Sequence, residues 1–291
     1  MPNPTRIATL LLCAGFAIGA ERQVDPTFLH RFVPDLKESA ADVTTPTCHY
    51  KPIFGAGDAG AKLLRGIARF GEMTVDPGGA GAILSYPAEE QVYVVLDGTG
   101  IVQYGEQKTD VRKDDYMYFP PGVQHGIANA STGPCRLIVM GFKIPPGTQV
   151  TAPPKLLLAN INGVRKETVG GHPPSTLYQL LMGDTQSKRD RIAAGHVLTS
   201  LFTMEFASGG TNFPHHHERE EEIYLVLNGY GDMVAGGGAG GIEGRHPAKA
   251  GDAYFFRLNC TVGFYSGNKP DEEKARILAV RSLFPFPRGG R

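Results

Sequence analysis

Two histidines and a glutamate, His215, His217 and Glu222, are the residues whose types and spacing best suit chemistry; they lie in a stretch running from Gly209 to Gly229. On extended backbone alternate side chains share a face, so His215 and His217 point one way and His216 the other. Four residues separate His217 from Glu222, and the Ile-Tyr-Leu-Val-Leu run that follows is apolar enough to form a second strand. The carboxylate can then turn back toward the two imidazoles. Two imidazole nitrogens and one carboxylate oxygen suit a single divalent transition metal (Mn, Fe, Ni, Co or Zn) and leave coordination positions open. Spacing alone establishes only this convergence of ligand-type side chains.

Gly209, His215, His217, Glu222 and Gly229 match the first signature of the cupin family, Gly-x5-His-x-His-x4-Glu-x6-Gly, and the stretch resembles that family. The resemblance implies a small antiparallel jelly-roll barrel with a metal inside its mouth.

A constant shift of 131 positions superposes an earlier segment on this one: Met73 falls on Met204, Gly78 on Gly209, Glu90 on Glu221 and Gly98 on Gly229. An internal repeat of this kind means two copies of one barrel. In the first copy the ligand positions read Leu84, Tyr86 and Gln91, a poor set for a divalent cation. The second cupin signature, Gly-x5-Pro-x-Gly-x2-His-x3-Asn, is distributed the other way. Pro120, Gly122, His125 and Asn129 stand in the first copy, with Asp114 for the leading Gly. In the second, Gly251 is followed by Arg257, Asn259, Val262 and Ser266. Each copy thus keeps one half. Because the two mouths are separated by a barrel wall, His125 is read as a structural histidine, and Val262 as lining the metal pocket where a fourth ligand would stand. Arg257 is placed near the mouth, either to contact an anionic substrate or to pair with a glutamate between Glu218 and Glu222.

The positioning elements follow from composition and punctuation. With Gly 38 and Pro 22, the chain favours short strands and tight turns over long helices, and 291 residues suit two modest domains. The expected fold class is all-β: two tandem double-stranded β-helix (jelly-roll, cupin) barrels with an N-terminal arm and a Pro/Gly-rich connector. Residues 1–20 have a signal-peptide layout, with Arg6, an apolar run from Ile7 to Ile18 and then Gly19-Ala20. The run is shorter than the ~20 apolar residues a membrane span needs. Residues 21–62 form the arm, expected to be irregular and to wrap the first barrel, which covers 63–144. Residues 145–191 are the connector, with a short strand or helix near Ser175 to Met182, and 192–291 the second barrel. The Gly236 to Gly241 run reads as a hairpin tip with His246 just after it. His30 and His49 are read as surface or hydrogen-bonding histidines.

Lys+Arg 29 against Asp+Glu 29 leaves no basic footprint for nucleic acid. The layout of residues 1–20 predicts an exported protein, periplasmic or extracellular and free of the membrane after cleavage, in which Cys48, Cys135 and Cys260 allow at most one intrachain bridge. The expected partner is a small molecule, and a homo-oligomer is compatible with the sequence. The leading function is a metal-dependent enzyme on a small polar or anionic molecule, of dioxygenase, decarboxylase, hydrolase or isomerase type. The alternative is a non-catalytic binding or storage bicupin. Among the known bicupin activities oxalate decarboxylation fits least, since that type keeps metal in both barrels.

Overall fold

The computed structural model describes residues 27–237, 243–269 and 274–283; the signal-peptide layout of 1–20 and most of the glycine-rich hairpin tip lie outside the described residues. Within them the sequence breaks into short strands. The N-terminal part forms β1 (Phe28–Phe32) and β2 (Cys48–Gly55). The first repeat holds β3 (Ile67–Val75), β4 (Glu89–Asp97), β5 (Thr99–Tyr104), β6 (Gln107–Arg112), β7 (Asp115–Phe119), β8 (His125–Ala128) and β9 (Cys135–Lys143), and the connector holds β10 (Leu157–Asn160). There follow β11 (Thr176–Asp184), β12 (Ile192–Gly195), β13 (Leu198–Phe206), β14 (Glu220–Asn228), β15 (Tyr230–Gly236), β16 (Gly244–Lys249), β17 (Asp252–Phe256), β18 (Thr261–Ser266) and β19 (Arg276–Leu283).

Each half builds a barrel from one large and one small sheet. The first pairs the order β10-β7-β4-β9-β3-β2 with β6-β5-β8; the second pairs β1-β17-β14-β19-β13-β11-β12 with β16-β15-β18. The repeat is visible strand by strand. Ile67 and Leu198 open β3 and β13, and Glu89 and Glu220 open β4 and β14, 131 positions apart in both cases. From β6 to β8 the offset is 137, as between Asp115 and Asp252, so six added residues fall in the β15–β16 hairpin around the glycine run; at β9 and β19 it is 140, as between Arg136 and Arg276.

Two segments depart from the expected division. The arm was expected to be irregular, yet β2 joins the large sheet of the first barrel through β3, and β1 crosses to the second barrel, pairing Phe28 with Phe256 and Phe32 with Asp252. Reciprocally, β10 of the connector extends the first barrel by pairing with β7, while β11 belongs to the second. Each barrel thus borrows an edge strand from outside its own repeat, which covers backbone that an edge would expose.

Alternation explains why the strands between the barrels read as unbroken apolar runs. In β4, Tyr93 and Val95 face the interior of the first barrel with Tyr50, Met73 and Phe119. Val92 and Val94 face outward, packing in one cluster with Ile223, Leu225 and Phe255 of the second barrel. In β14, Tyr224 and Val226 point into the second barrel. Both faces are buried, so both must be apolar.

The same alternation sends Glu90 and Glu221, repeat equivalents, into the interface between the barrels, where each is fully buried. Glu90 accepts from the backbone N–H groups of His196, Val197 and Leu198 at 2.8, 2.8 and 2.7 Å, and from the Tyr118 hydroxyl at 2.9 Å. Glu221 accepts from Arg65, Gly66 and Ile67 at 2.8, 2.7 and 3.3 Å. Each barrel therefore caps a turn of the other with a carboxylate, satisfying donors that would otherwise be buried without partners.

Candidate metal centre

Backbone pairing, rather than a continuous strand, aims the histidines. Residues 212–214 and 216–219 lie outside any strand, and His215 is held by an isolated bridge to Val262: its N–H donates to the Val262 carbonyl at 2.9 Å and its carbonyl accepts the Val262 N–H at 2.8 Å. Residues that exchange both hydrogen bonds present their side chains on the same face. His216 is exposed between its half-buried neighbours. Asn259, with φ of 58°, turns the chain between β17 and β18 and donates its N–H to the His217 carbonyl at 2.8 Å. In the first barrel Gly122, with φ of 80°, makes the matching contact to the Tyr86 carbonyl at 3.0 Å. The turn survives the loss of glycine because asparagine tolerates the left-handed region.

Alternation along β14 then sends Glu222 inward, opposite in sense to Glu221. Ligand-type atoms of His215, His217 and Glu222 all lie within 4.8 Å of one another. His217 Nε2 and Glu222 Oε2 stand 3.2 Å apart, but each is buried without a hydrogen-bond partner. Two such atoms turned toward one place leave room for a shared cation. His215 Nδ1 lies 2.9 Å from the Phe213 carbonyl, which fixes the tautomer and leaves Nε2 with its lone pair, as in metal-bound histidines. Burial holds the His215 imidazole below its usual range, in the neutral form a ligand requires. Burial also pushes the Glu222 carboxyl up, but His217 and Arg281 outweigh it, and the group titrates below the ordinary carboxylate range. On the chemistry and placement of these donors, the residues fit one divalent transition metal.

Val262 stands across from His215 where the first barrel pairs Leu84 with His125, again through two backbone bonds, both of 2.8 Å. Its buried side chain, in the core cluster of the second barrel, offers no donor. Arg257 follows β17, bonding through its N–H to the Thr27 carbonyl at 2.9 Å, and its charge lies near Cys260. Beside the cluster stands Arg281, which sequence reasoning missed: its Nη1 is 3.4 Å from Glu220 and its Nε 3.9 Å from Glu222. The signal lay in register, because β19 pairs Arg281 with Glu222. His172, also missed, comes from the connector, its ring centroid 5.0 Å from that of His215. Tyr178 stands against it at 5.3 Å, with a buried, partnerless hydroxyl whose pKa is raised by burial and by Glu222.

The first barrel fills the equivalent mouth differently. Arg69 lies over the Tyr86 ring, its Cζ 4.4 Å from the centroid, and donates to Asp42 at 2.7 Å and to the Tyr86 hydroxyl at 3.0 Å. Gln91 donates to Glu89 at 2.7 Å. His125 Nε2 is buried and unpartnered while its ring stacks on Phe119 at 4.3 Å, and among the described residues no metal-type cluster forms around it. Register shows an exchange: β3 and β9 pair Arg69 with Gly141, whereas β13 and β19 pair Ser200 with Arg281. The guanidinium moved to the neighbouring strand, and a small residue faces it in each copy. A Cβ on Gly141 would come within 2.9 Å of Arg69 Cγ.

Other singled-out residues lie apart from the centre. His30 pairs with Asp252 at 2.7 Å, and His49 with Asp76 at 3.1 Å and Glu38 at 3.3 Å. His246 sits in β16 beside Phe28 and not at a loop tip. Cys48, Cys135 and Cys260 are buried free thiols.

Residues 71–141, within β3 to β9, match the model of the cupin domain, Cupin_2. A glyoxylate-induced protein from Pseudomonas aeruginosa superposes with a TM-score of 0.70 at 16% identity, covering 93% of this chain and 95% of that one. Ylba from E. coli gives 0.67 at 13%, covering 92% and 97%, and a variant of Bacillus subtilis oxalate decarboxylase gives 0.64 at 12%, covering 89% and 78%. At these identities the likeness is one of fold. An uncharacterized protein of Methanocaldococcus jannaschii is 26% identical over 81 residues, 28% of this chain and 65% of that protein, so the match spans less than two thirds of its length.

Proposed function

We propose that this chain, whose residues 71–141 match the cupin domain model and whose fold is that of two-barrel cupins, is a metal-dependent enzyme with one divalent transition metal on His215, His217 and Glu222, acting on a small polar or anionic molecule. The observation that carries this reading is the pair of buried, partnerless atoms, His217 Nε2 and Glu222 Oε2, turned toward each other beside His215. The two atoms stand 3.2 Å apart with no well-formed hydrogen bond to satisfy either, and a cation shared between them satisfies both. When bound, the ion supplies Lewis acidity or an activated water. His215 and His217 offer ring nitrogens, Glu222 offsets part of the charge, and Arg281 provides the cation for an anionic ligand. Bacillus subtilis oxalate decarboxylase has Mn(II) centres, which makes manganese the first metal to try. Its substrate does not carry over at 12% identity, and the first mouth here presents Arg69, Tyr86 and Gln91 in place of a ligand set. The layout of residues 1–20 places the enzyme outside the cytoplasm in this reading.

Elemental analysis of untagged protein tests it. The expected result is about one metal per chain, lost in His215→Ala and in His217→Ala but kept in His125→Ala. Two metals per chain, none, or loss with His125→Ala would overturn the assignment.

A further inference from the structure

The second barrel lacks the ligand that β18 would contribute, yet a further imidazole stands at its mouth. His172 lies in the connector, ahead of β11, and its ring centroid is 5.0 Å from that of His215 with the planes at 73°. His215 and His217 are themselves 5.0 Å apart with planes at 87°. A further imidazole thus stands at the same centroid distance from His215 as His217 does.

Its orientation is fixed in the manner of a ligand. His172 Nδ1 lies 2.7 Å from the Asn212 carbonyl, so that nitrogen carries the proton and Nε2 keeps its lone pair, as His215 does through Phe213. Asn212 is fully buried and doubly anchored: its Oδ1 accepts the Phe264 N–H at 2.8 Å, and its Nδ2 donates to the Tyr224 hydroxyl at 3.1 Å. A side chain with only a packing role would not need that anchor. Directly across from His215, Val262 fills the remaining place with methyl groups, which cannot coordinate.

We infer that His172 is the fourth nitrogen ligand of the centre, supplied by the connector in place of β18. The inference rests on the metal reading of His215, His217 and Glu222 above. His172 stands outside their 4.8 Å cluster, so coordination would require its ring to shift inward. The consequence is structural as well as chemical, since one ion then ties the connector to the second barrel.

Cobalt(II) titration of the full-length protein, followed by d–d absorption and by competition with a chelator, tests this. Wild type is expected to bind one Co(II) per chain. His172→Ala and His172→Gln should each weaken binding by at least ~10-fold and change the d–d spectrum, the scale on which even indirect partners of metal ligands act. Adding Val262→His to His172→Ala returns a nitrogen from β18 and should recover affinity to within about threefold of wild type. Far-UV circular dichroism and apo-protein melts show whether each variant is folded, and the glutamine variant keeps the test open if the alanine variant is not. If both His172 variants bind Co(II) within about twofold of wild type with an unchanged spectrum while His215→Ala abolishes binding, the inference fails and the three-residue site stands. If wild type binds no Co(II) and no other divalent metal, the metal reading fails and takes this inference with it.

Discussion

Glu90→Ala removes one of the two carboxylates that reach across the barrel interface, and its effect can be worked from the contacts. Glu90 accepts three backbone N–H bonds of 2.7 to 2.8 Å, two of them, from Val197 and Leu198, fully buried. Removing the acceptor strands those two donors at about 1–3 kcal/mol each, and the Tyr118 hydroxyl loses its 2.9 Å acceptor and keeps only the longer 3.4 Å contact with His196 Nδ1. The expected loss is therefore about 3–5 kcal/mol. The usual escape, replacing both members of a buried polar pair with apolar groups, is closed because the partners are backbone amides. Glu90→Gln keeps one acceptor oxygen but sets an NH2 against the remaining donors, so roughly half the loss is expected. Glu221→Ala should cost less, about 2–4 kcal/mol, because its third bond, from Ile67, is long at 3.3 Å. Urea unfolding followed by far-UV circular dichroism is the assay, since the chain has Trp 0 and tryptophan fluorescence gives no signal. A shift below about 1 kcal/mol for Glu90→Ala, or equal losses for the alanine and glutamine variants, would refute the claim that the interface depends on these acceptors.

Burial holds the His125 imidazole at about 4, against an ordinary 6.5. Below pH 6.5 the unfolded chain therefore takes up the proton first, and stability falls as pH drops toward 4 by at most about 3 kcal/mol; His125→Gln should flatten the difference between urea midpoints at pH 7 and pH 4.5. Gly66→Ala should destabilise by about 1–3 kcal/mol in the same urea assay, because its Cβ would stand 2.4 Å from the Leu283 carbonyl; an unchanged midpoint would show that the 65–67 turn can give way. Intact-mass measurement of exported protein should find a chain beginning near Glu21, and a mass that retains Met1 to Ala20 would show that the segment is not cleaved.

What the sequence made legible follows the range of the interactions involved. His215, His217 and Glu222 could be read together because spacings of two and five act within one local segment, and the 131-residue offset exposed both barrels because it preserves strand lengths. Val262 pairs with His215 although the Pro and Gly before it are gone, since Arg257 and Asn259 still fit the turn and Asn259 adopts its positive φ. Arg281 borders Glu222 through the β14–β19 register, which no local pattern encodes. His172 is further from the motif in sequence and sits in a stretch without periodicity, so only tertiary folding reveals it. The edge strands β1 and β10 are short, and their partners lie in other parts of the chain.

The run Glu220-Glu221-Glu222 shows how one stretch can serve two surfaces. Successive residues on β14 face opposite ways. Glu222 and Glu220 therefore turn toward His217 and Arg281, while Glu221 enters the interface and caps Arg65 to Ile67 of the first barrel. A one-residue slip would exchange these faces, placing the interface carboxylate in the mouth and the ligand against apolar side chains of the other barrel. Such a register costs two buried charges their partners at once, several kcal/mol each by the usual scale for stranded ions. The docking of the barrels and the aim of Glu222 thus support the same register. The first barrel keeps Glu90 in that role while Gln91 replaces the ligand, so the interface carboxylate persists where the metal set does not. Repetition of the crossing bonds belongs to the two-barrel architecture; among the described residues the convergence of imidazoles is found in the second copy.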